Sequence, residues 1–266
     1  MAIACSTSAF KIPLDEALGK VSGLGFECVD LIAIPSWVHI VPEDLADDWQ
    51  GVIGEVEAML DARGLTPVAV NCALPTIYDR EDETVAERLR QARGLVRLMS
   101  RLDIGVASFY PGPRTEEKEW DQILEDAAKT WQELLDVADA GGVTFSVELH
   151  YGTPFQTVEQ SEALLDAVPG LPVAYDPSHF VMQEIEPEAT DSLLARAAHV
   201  HLRDAAPEKM QVPMGEGAVD FEWIVRTLSE NGYEGHYSVE YLPDIEGGPE
   251  AQIAAVKERL ERLLGG

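Results

Sequence analysis

Short apolar runs alternate along the chain with longer segments in which apolar residues recur every three or four positions. The apolar runs have the length of β-strands and cover residues 3–6, 27–34, 66–71, 104–109, 144–148, 172–176, 199–202 and 236–240. The segments with helical periodicity follow them one by one, at residues 14–24, 43–63, 83–102, 116–140, 157–167, 188–198, 221–231 and 249–264. The pattern therefore predicts eight successive strand–helix units.

Alternation of this kind predicts parallel strands joined by right-handed helical crossovers. Eight units in a chain of about 250 residues have the size of a (β/α)8 TIM barrel. We therefore predict an α/β protein in which residues 1–266 form one barrel domain. The alternative is an open, doubly wound sheet, but residues 6–10 after the first strand contain no Gly-rich phosphate-binding loop.

Charge narrows the range of partners. The chain has 48 Asp and Glu against 19 Lys and Arg, a formal net charge of −29. Because nucleic acids and anionic membranes bind mainly through Lys and Arg, both are disfavoured as partners. The 46% hydrophobic content argues against disorder. So many negative charges repel one another, and high salt would screen that repulsion. We therefore interpret the excess of acidic residues as halophilic adaptation, with an ordinary acidic protein as the alternative.

Segments that would target or anchor the chain are not apparent. The first ten residues lack a basic region and a long apolar stretch, and the longest uncharged run, residues 64–78, is too short to span a bilayer. The three cysteines show no CxxC spacing and indicate neither a disulfide framework nor a thiolate zinc site. We expect a soluble, cytoplasmic protein.

Polar residues stand at the ends of the last four predicted strands, where barrel active sites lie. Glu148, Asp176 and Glu240 end strands five, six and eight, and strand seven contains His199 and His201. We expect the two histidines to face opposite sides of the sheet, so that one at most reaches the barrel mouth. Each residue alone could cap a helix or begin a turn, but four equivalent positions indicate a site for Mn²⁺, Mg²⁺, Co²⁺ or Zn²⁺.

The order of these motifs resembles a known family. The chain contains E-x-H at 148–150, D-x-S-H at 176–179, H-x-H-x-R-D at 199–204 and a final strand-end Glu240, with a Gly-x-Gly loop at 215–217. This set resembles the xylose isomerase-like TIM-barrel superfamily. That superfamily includes sugar and sugar-phosphate isomerases and epimerases, inosose dehydratases, hydroxypyruvate isomerases and endonuclease IV.

The resemblance implies a site and a reaction. One divalent metal ion would be held by Glu148, Asp176, His201 and Glu240. Glu148 and Glu240 would also move protons, and His179 would hydrogen-bond the substrate. The implied activity is a metal-dependent sugar isomerase or epimerase that works by proton transfer through a cis-enediolate, with the metal stabilising the developing charge.

Further residues are candidates for the walls of the substrate pocket. We expect Arg203, His150, Trp37 and His39 to contact the substrate, whereas packing and substrate contact are equally good explanations for Asn71, Tyr110 and Arg114. Three positions depart from the commoner family pattern, which has Glu, Asn and Lys where this chain has Asp30, Leu149 and Arg203. The expected partner is a small sugar or cyclitol, and the barrel could form a homo-oligomer.

Three other functions stay open. An inosose dehydratase-type lyase could share the metal and the carboxylates. An endonuclease IV-like hydrolase is less favoured, because none of the six histidines falls on the third or fourth strand and the net charge opposes DNA. A non-catalytic sugar-binding barrel would predict loss of the ligand set, which is intact here. The absence of an obvious phosphate cradle favours an unphosphorylated substrate.

Overall fold

Eight parallel strands close into a barrel, in which each strand pairs with its neighbours in the chain and the first also pairs with the last. In this computed structural model, residues 2–35, 37 and 39–265 are described. The strands are β1 Ile3–Ser6, β2 Cys28–Ala33, β3 Thr66–Ala73, β4 Val106–Tyr110, β5 Thr144–Glu148, β6 Val173–Tyr175, β7 Ala197–Leu202 and β8 Tyr237–Val239. The predicted (β/α)8 TIM barrel is confirmed.

Helices connect consecutive strands. They are α1 Leu14–Gly23, α2 Pro42–Asp47, α3 Trp49–Asp61, α4 Asp82–Leu102, α5 Trp120–Gly141, α6 Val158–Ala167, α7 Ser178–Val181, α8 Asp191–Leu194, α9 Phe221–Glu230 and α10 Pro249–Leu264. Two 3-10 turns, Thr7–Ala9 and Pro187–Thr190, complete the connections described. Within the described ranges, no helix is both long enough and apolar enough to cross a membrane.

The helix predicted over residues 43–63 is two helices, because the chain breaks at Asp48. Asp48 leaves the helical region with φ −132° and ψ 64°. Its carboxylate accepts a hydrogen bond from the backbone N–H of Gly51 at 3.1 Å. An Asp in this position caps the first turn of a new helix, so α3 begins at Trp49 in a new direction.

The helix predicted over residues 188–198 is wrong at its C-terminal half. Helix α8 ends at Leu194, and β7 begins at Ala197. Ala197 is already in register with Val173 of β6, so pairing between strands overrides the helical periodicity of this segment. The connection between β6 and β7 is therefore made of short turns, including the four-residue helix α7 that the sequence pattern did not indicate.

The inside of the barrel is polar near its carboxyl end. Asp30 of β2 contacts His199 of β7 at 2.9 Å, although these two strands are not neighbours in the sheet. Their side chains therefore meet across the interior. Other buried polar residues of the strands are Ser6, Asn71, Ser108, Ser146, Glu148, His201 and Ser238. Polar groups in this layer are available to position a site at the mouth of the barrel.

Apolar packing fills the layer between strands and helices. Phe109 of β4 lies edge-on to Trp131 of α5, with 5.9 Å between ring centroids, and 4.6 Å from Phe145 of β5. Both Trp131 and Phe145 are fully buried. Unlike these apolar residues, the acidic residues lie mainly on the surface. All 48 fall within the described ranges, and only six of them are buried.

A buried arginine shapes the loop between β3 and α4. The Arg88 side chain is inaccessible to solvent. Its guanidinium donates to the backbone carbonyls of Pro75 at 2.8 Å and of Thr76 and Asp79 at 2.6 Å. It also donates to the Thr130 hydroxyl on α5 at 3.2 Å. One side chain thus satisfies three carbonyls of a loop that leaves the carboxyl end of the barrel.

Replacing this arginine should destabilise the barrel. Arg88→Met keeps an unbranched apolar stem but removes the guanidinium and leaves three carbonyls without their donor, which costs at least about 2 kcal/mol of unfolding free energy. Denaturant titration followed by circular dichroism measures the change. Arg93→Met, at an exposed position of the same helix, is the matched control and should differ little from the unmodified protein. Equal stability of the two variants would contradict this account.

Candidate functional site

Four side chains from four consecutive strands converge at the carboxyl end of the barrel. Glu148 is the last residue of β5, Asp176 follows β6, His201 lies in β7 and Glu240 follows β8. One ligand atom from each lies within 4.8 Å of the others. All four residues are at most 4% exposed. The structure therefore brings together the four residues singled out as metal ligands in the sequence.

The imidazole of His201 lies at the centre of this group. Its Nδ1 atom is 2.9 Å from Oε1 of Glu148 and 3.4 Å from Oε2 of Glu240. Its Nε2 atom is 3.2 Å from Oδ2 of Asp30. Burial disfavours the imidazolium, but Glu240 and Glu148 outweigh burial and raise the pKa of His201 well above its usual value.

The two glutamates of the group titrate differently. Burial raises the pKa of Glu148, but the neighbouring His201 more than offsets burial and lowers this pKa to about 2. For Glu240, burial prevails over the attraction of His201 and Arg203, and its pKa is raised. Two carboxylates at one site with pKa values shifted in opposite directions are suited to accepting and returning a proton.

Two donors hold the carboxylates in place. The guanidinium of Arg203 donates to Asp176 and, at 2.9 Å, to the hydroxyl of Ser178, and lies 3.5 Å from Oε2 of Glu240. Asn71 donates from Nδ2 to Oε1 of Glu240 at 3.0 Å. Arg203 and Asn71 therefore fix the orientation of the two carboxylates on either side of the group.

The residues present fit a divalent cation. Three carboxylates and one imidazole make a set of oxygen and nitrogen donors without a thiolate, as Mg²⁺, Mn²⁺, Co²⁺ and Zn²⁺ accept. Nδ1 of His201 faces two carboxylate oxygens, so a neutral imidazole there would oppose its lone pair to theirs. Either a proton or a cation must lie between them. The donor set and the spacing could therefore hold a divalent cation.

The expectation that His199 and His201 face opposite sides of the sheet is wrong. Both imidazoles point into the barrel, where each Nε2 atom approaches the same oxygen of Asp30, at 2.9 and 3.2 Å. Residues two apart on a strand lie on the same face, because side chains alternate with a period of two. His199 lies outside the four-residue group, since it contacts Asp30 and not the glutamates.

A cavity of about 180 Å³ opens beside the four-residue group. Glu148, Glu240 and Arg203 form its polar wall. The remaining lining residues are Ser8, Ile32, Ile34, Trp37, Asn71, Tyr110, His150, Met210 and Leu242. The site thus combines two acidic groups with an apolar and aromatic surround, a common composition for pockets that bind small polar molecules.

The residues predicted to contact substrate fall into two groups. Trp37, His150 and Arg203 line the cavity, as do Asn71 and Tyr110. These five are therefore placed where a bound molecule would meet them.

His179 and His39 are not among the residues that line the cavity. His179 is fully buried beneath His150, with 3.8 Å between the ring centroids, and its Nε2 atom is 3.5 Å from Asp176. Both ring nitrogens of His39 are taken up by the protein, through the Thr7 hydroxyl at 3.2 Å and the Ile12 carbonyl at 2.9 Å. Arg114 is exposed.

The loop after β7 is held by one carboxylate. Asp204 accepts hydrogen bonds from the backbone N–H groups of Gly215 at 2.8 Å and Gly217 at 3.0 Å. A Cβ atom at Gly217 would lie 2.0 Å from the Asp204 carboxylate and 2.4 Å from the carbonyl of Ala205, so glycine is required there. The Gly-x-Gly motif noted in the sequence therefore fixes a loop whose residue Met210 lines the cavity.

Two residues of the site were not predicted as such from the sequence. Asp30 departs from the commoner family pattern and has no predicted role, and for Asn71 the sequence favours packing and substrate contact equally. A signal was present for Asp30, because a carboxylate inside an otherwise apolar strand, Cys28–Ala33, must find partners when it is buried. Its partners come from β7, which sequence separation alone does not reveal.

Several solved structures share this fold. A xylose isomerase-like TIM barrel protein from Mycobacterium smegmatis in complex with magnesium matches with a TM-score of 0.77 and 20% identity, covering 99% of this chain and 96% of its own. The IOLI protein with a zinc atom matches at 0.76 and 17%, covering 100% and 98%. A D-tagatose 3-epimerase-like protein matches at 0.76 and 18%, covering 100% and 99%.

Similarity in sequence points to the same group. The chain is 30% identical over 150 residues to an inosose dehydratase of Clostridium perfringens, covering 48% of this chain and 49% of the relative. It is 29% identical over 158 residues to an inosose dehydratase of Geobacillus thermodenitrificans, covering 51% of each. The matches thus span about half the length of these relatives. A family model described as xylose isomerase-like TIM barrel matches residues 18–263, and the chain belongs to this family.

Proposed function

We propose that the protein is a divalent-metal-dependent sugar isomerase or epimerase. The observation that carries this proposal is the group of Glu148, Asp176, His201 and Glu240, whose ligand atoms lie within 4.8 Å of one another beside a small cavity. The proteins to which the chain is similar include a D-tagatose 3-epimerase-like protein and inosose dehydratases, which supports a sugar or cyclitol as the substrate.

The four residues of the group would hold the ion, His201 through Nδ1 and the others through carboxylate oxygens. A divalent cation bound there would polarise the carbonyl and hydroxyl oxygens of a sugar and lower the pKa of the adjacent C–H bond. Arg203 and Asn71 hold Asp176 and Glu240 in position for this task. The magnesium and zinc in two structural relatives support such an ion and leave its identity open.

The two glutamates that line the cavity would transfer the protons to and from the substrate. Glu148 is ionised, with its pKa lowered to about 2, and can accept a proton from the carbon next to the carbonyl. Glu240 lines the same cavity, where its carboxyl group could deliver a proton to the neighbouring carbon or the opposite face. Removal of one proton by Glu148 and delivery of another by Glu240 through an enediolate would isomerise or epimerise the sugar, and proton exchange with solvent would then reset the two glutamates.

The cavity favours an unphosphorylated substrate. Among the described residues that line it, Arg203 is the single cationic side chain, and its guanidinium is already engaged by Asp176 and Ser178. A phosphate group would therefore meet the carboxylates of Glu148 and Glu240 without a free cationic side chain beside it. Trp37, Tyr110 and His150 offer aromatic faces to the C–H groups of a sugar ring.

An inosose dehydratase-type lyase is the second candidate. The sequence matches to two inosose dehydratases favour it specifically, although they span about half of each protein. The first step would be the same removal of a proton next to a carbonyl by a glutamate. The electron pair would then expel hydroxide from the adjacent carbon, and a protonated side chain would convert it to water.

The first prediction concerns the ion. Chelator-treated protein should bind one equivalent of Mn²⁺ or Co²⁺ per chain and should be stabilised by about 2.7 kcal/mol at a free metal concentration 100 times the dissociation constant. Isothermal titration calorimetry and thermal denaturation measure both quantities.

His201→Asn should remove binding, because it deletes the imidazole at the centre of the group. His236→Asn is the matched control, since His236 precedes β8 at the opposite end of the barrel. Absence of stoichiometric metal in the unmodified protein would refute the proposed enzyme and favour a non-catalytic barrel.

The second prediction concerns proton transfer. Glu240→Gln is isosteric but cannot carry a proton to or from carbon, so turnover should fall by about 10²–10⁴-fold. Glu234→Gln, at an exposed position before the same strand, should retain full activity. The assay screens free ketoses, their phosphates and inososes for metal-dependent turnover. Unchanged activity of the Glu240 variant on the substrate found would exclude its assigned role.

The third prediction separates the two candidate reactions. In deuterium oxide, an isomerase or epimerase should incorporate one deuteron at the carbon next to the carbonyl and release no water, because the proton lost is replaced from solvent. Proton NMR follows that exchange directly. A dehydratase acting on inososes should instead yield an unsaturated product with new ultraviolet absorption. Dehydration without a stable deuterated sugar would replace the isomerase proposal with the lyase.

A further inference from the structure

Asp30 is a buried carboxylate outside the four-residue group that nevertheless reaches one of its members. It lies in β2, is fully inaccessible to solvent, and meets β7 across the barrel. Its Oδ2 atom is 2.9 Å from Nε2 of His199 and 3.2 Å from Nε2 of His201. Its other oxygen, Oδ1, has no hydrogen-bond partner among the described residues. All of its hydrogen bonding is thus directed at two imidazoles.

Hydrogen-bond chemistry decides which nitrogen of His201 carries a proton. An ionised carboxylate only accepts, so the Nε2 atom facing Asp30 must be an N–H group. With a cation in place of a proton at Nδ1, the imidazole of His201 is neutral and has one N–H, so Nδ1 offers a lone pair. That lone pair points at Glu148 and Glu240, which lie 2.9 and 3.4 Å away. Asp30 therefore selects the tautomer that offers Nδ1 to a cation in this group.

We propose that Asp30 is a positioning residue for the cation site and acts through His201. It holds the ring in the Nε2-protonated form and in the orientation that keeps Nδ1 between the two glutamates. The inference rests on the proposed function, because it presupposes a metal ion at the four-residue group. A carboxylate behind a ligating imidazole also increases the basicity of the ligand nitrogen, and its loss commonly weakens metal binding about 10–100-fold.

His199 restrains the Asp30 carboxylate that orients His201. It donates to the same Oδ2 atom at the shorter distance of 2.9 Å, and its ring lies edge-on to that of His201 with 4.8 Å between centroids. Two donors on one oxygen fix the rotation of the Asp30 side chain. His199 Nδ1 has no partner among the described residues, so its contact with Asp30 is the hydrogen bond that the ring makes.

Hydrogen bonding explains this arrangement better than a second ion does. Asp30, His199 and His201 do form a compact trio of ligand types. An ion there would compete with the four-residue group for His201, which has only one imidazole ring to share. Separations of 2.9 and 3.2 Å between nitrogen and oxygen are those of N–H donors on a carboxylate. A binding stoichiometry of two would identify the alternative.

The test measures metal affinity directly. Asp30→Asn should weaken Co²⁺ binding about 10–100-fold in calorimetric titration of the chelator-treated protein, since the neutral amide no longer enforces the N–H at Nε2. Asp30→Glu should recover much of the affinity, because it restores the carboxylate. Ser108→Ala, which removes a buried hydroxyl without a partner from the barrel interior, is the matched control and should bind as the unmodified protein does.

A second measurement needs no variant. In ¹⁵N-histidine-labelled, zinc-loaded protein, His201 should show a protonated Nε2 and a metal-shifted Nδ1 in long-range ¹H–¹⁵N spectra. A protonated Nδ1, unchanged affinity in Asp30→Asn, or two ions per chain would each overturn the inference. Failure of the unmodified protein to bind any ion would instead refute the proposed function, so the two failures are distinguishable.

Discussion

The site depends on offsetting the repulsion among three buried carboxylates. Their ligand atoms lie within 4.8 Å of one another, and the residues are nearly closed to water. Buried like charges repel strongly, so such a group persists only where positive charge or hydrogen-bond donors offset it. Here Arg203 and His201 supply the positive charge, and Asn71 supplies a neutral donor. All three come from barrel strands or the residues directly after them. The closed sheet therefore positions both the carboxylates that repel one another and the groups that offset this repulsion.

Sequence periodicity was sufficient for the barrel and for the strand-end carboxylates. Eight parallel strands of a barrel bring their carboxyl ends together regardless of the conformation of the loops. The positions of Glu148, Asp176 and Glu240 at this end could therefore be predicted from the sequence. The partners of Asp30 could not, because they depend on contact between strands that are not neighbours. Loops were equally unpredictable. Trp37 and His39 are two residues apart, yet Trp37 lines the cavity and His39 bonds to the protein itself.

The acidic composition separates into two populations with different physics. Forty-two of the 48 acidic side chains retain contact with solvent, where dissolved ions screen their repulsion. The six buried ones are screened far less and depend on fixed partners such as Arg203 and His199. Changes in ionic strength thus act mainly on the outer surface. The chemistry of the mouth is insulated from the large net charge that dominates the composition.

Anchoring of the β3–α4 loop by Arg88 bears on how this barrel could diversify. The arginine donates hydrogen bonds to the backbone carbonyl groups of Pro75, Thr76 and Asp79. Every amino acid has such a carbonyl group, so this contact does not depend on the identity of the loop residues. The path of the loop is consequently set in part by a residue on the helix, together with Asp79, whose carboxylate accepts hydrogen bonds from the Glu81 N–H and the Thr84 hydroxyl. Exchange of loop side chains that make no such bond, during evolution or in a designed library, would leave the anchorage through the carbonyl groups in place.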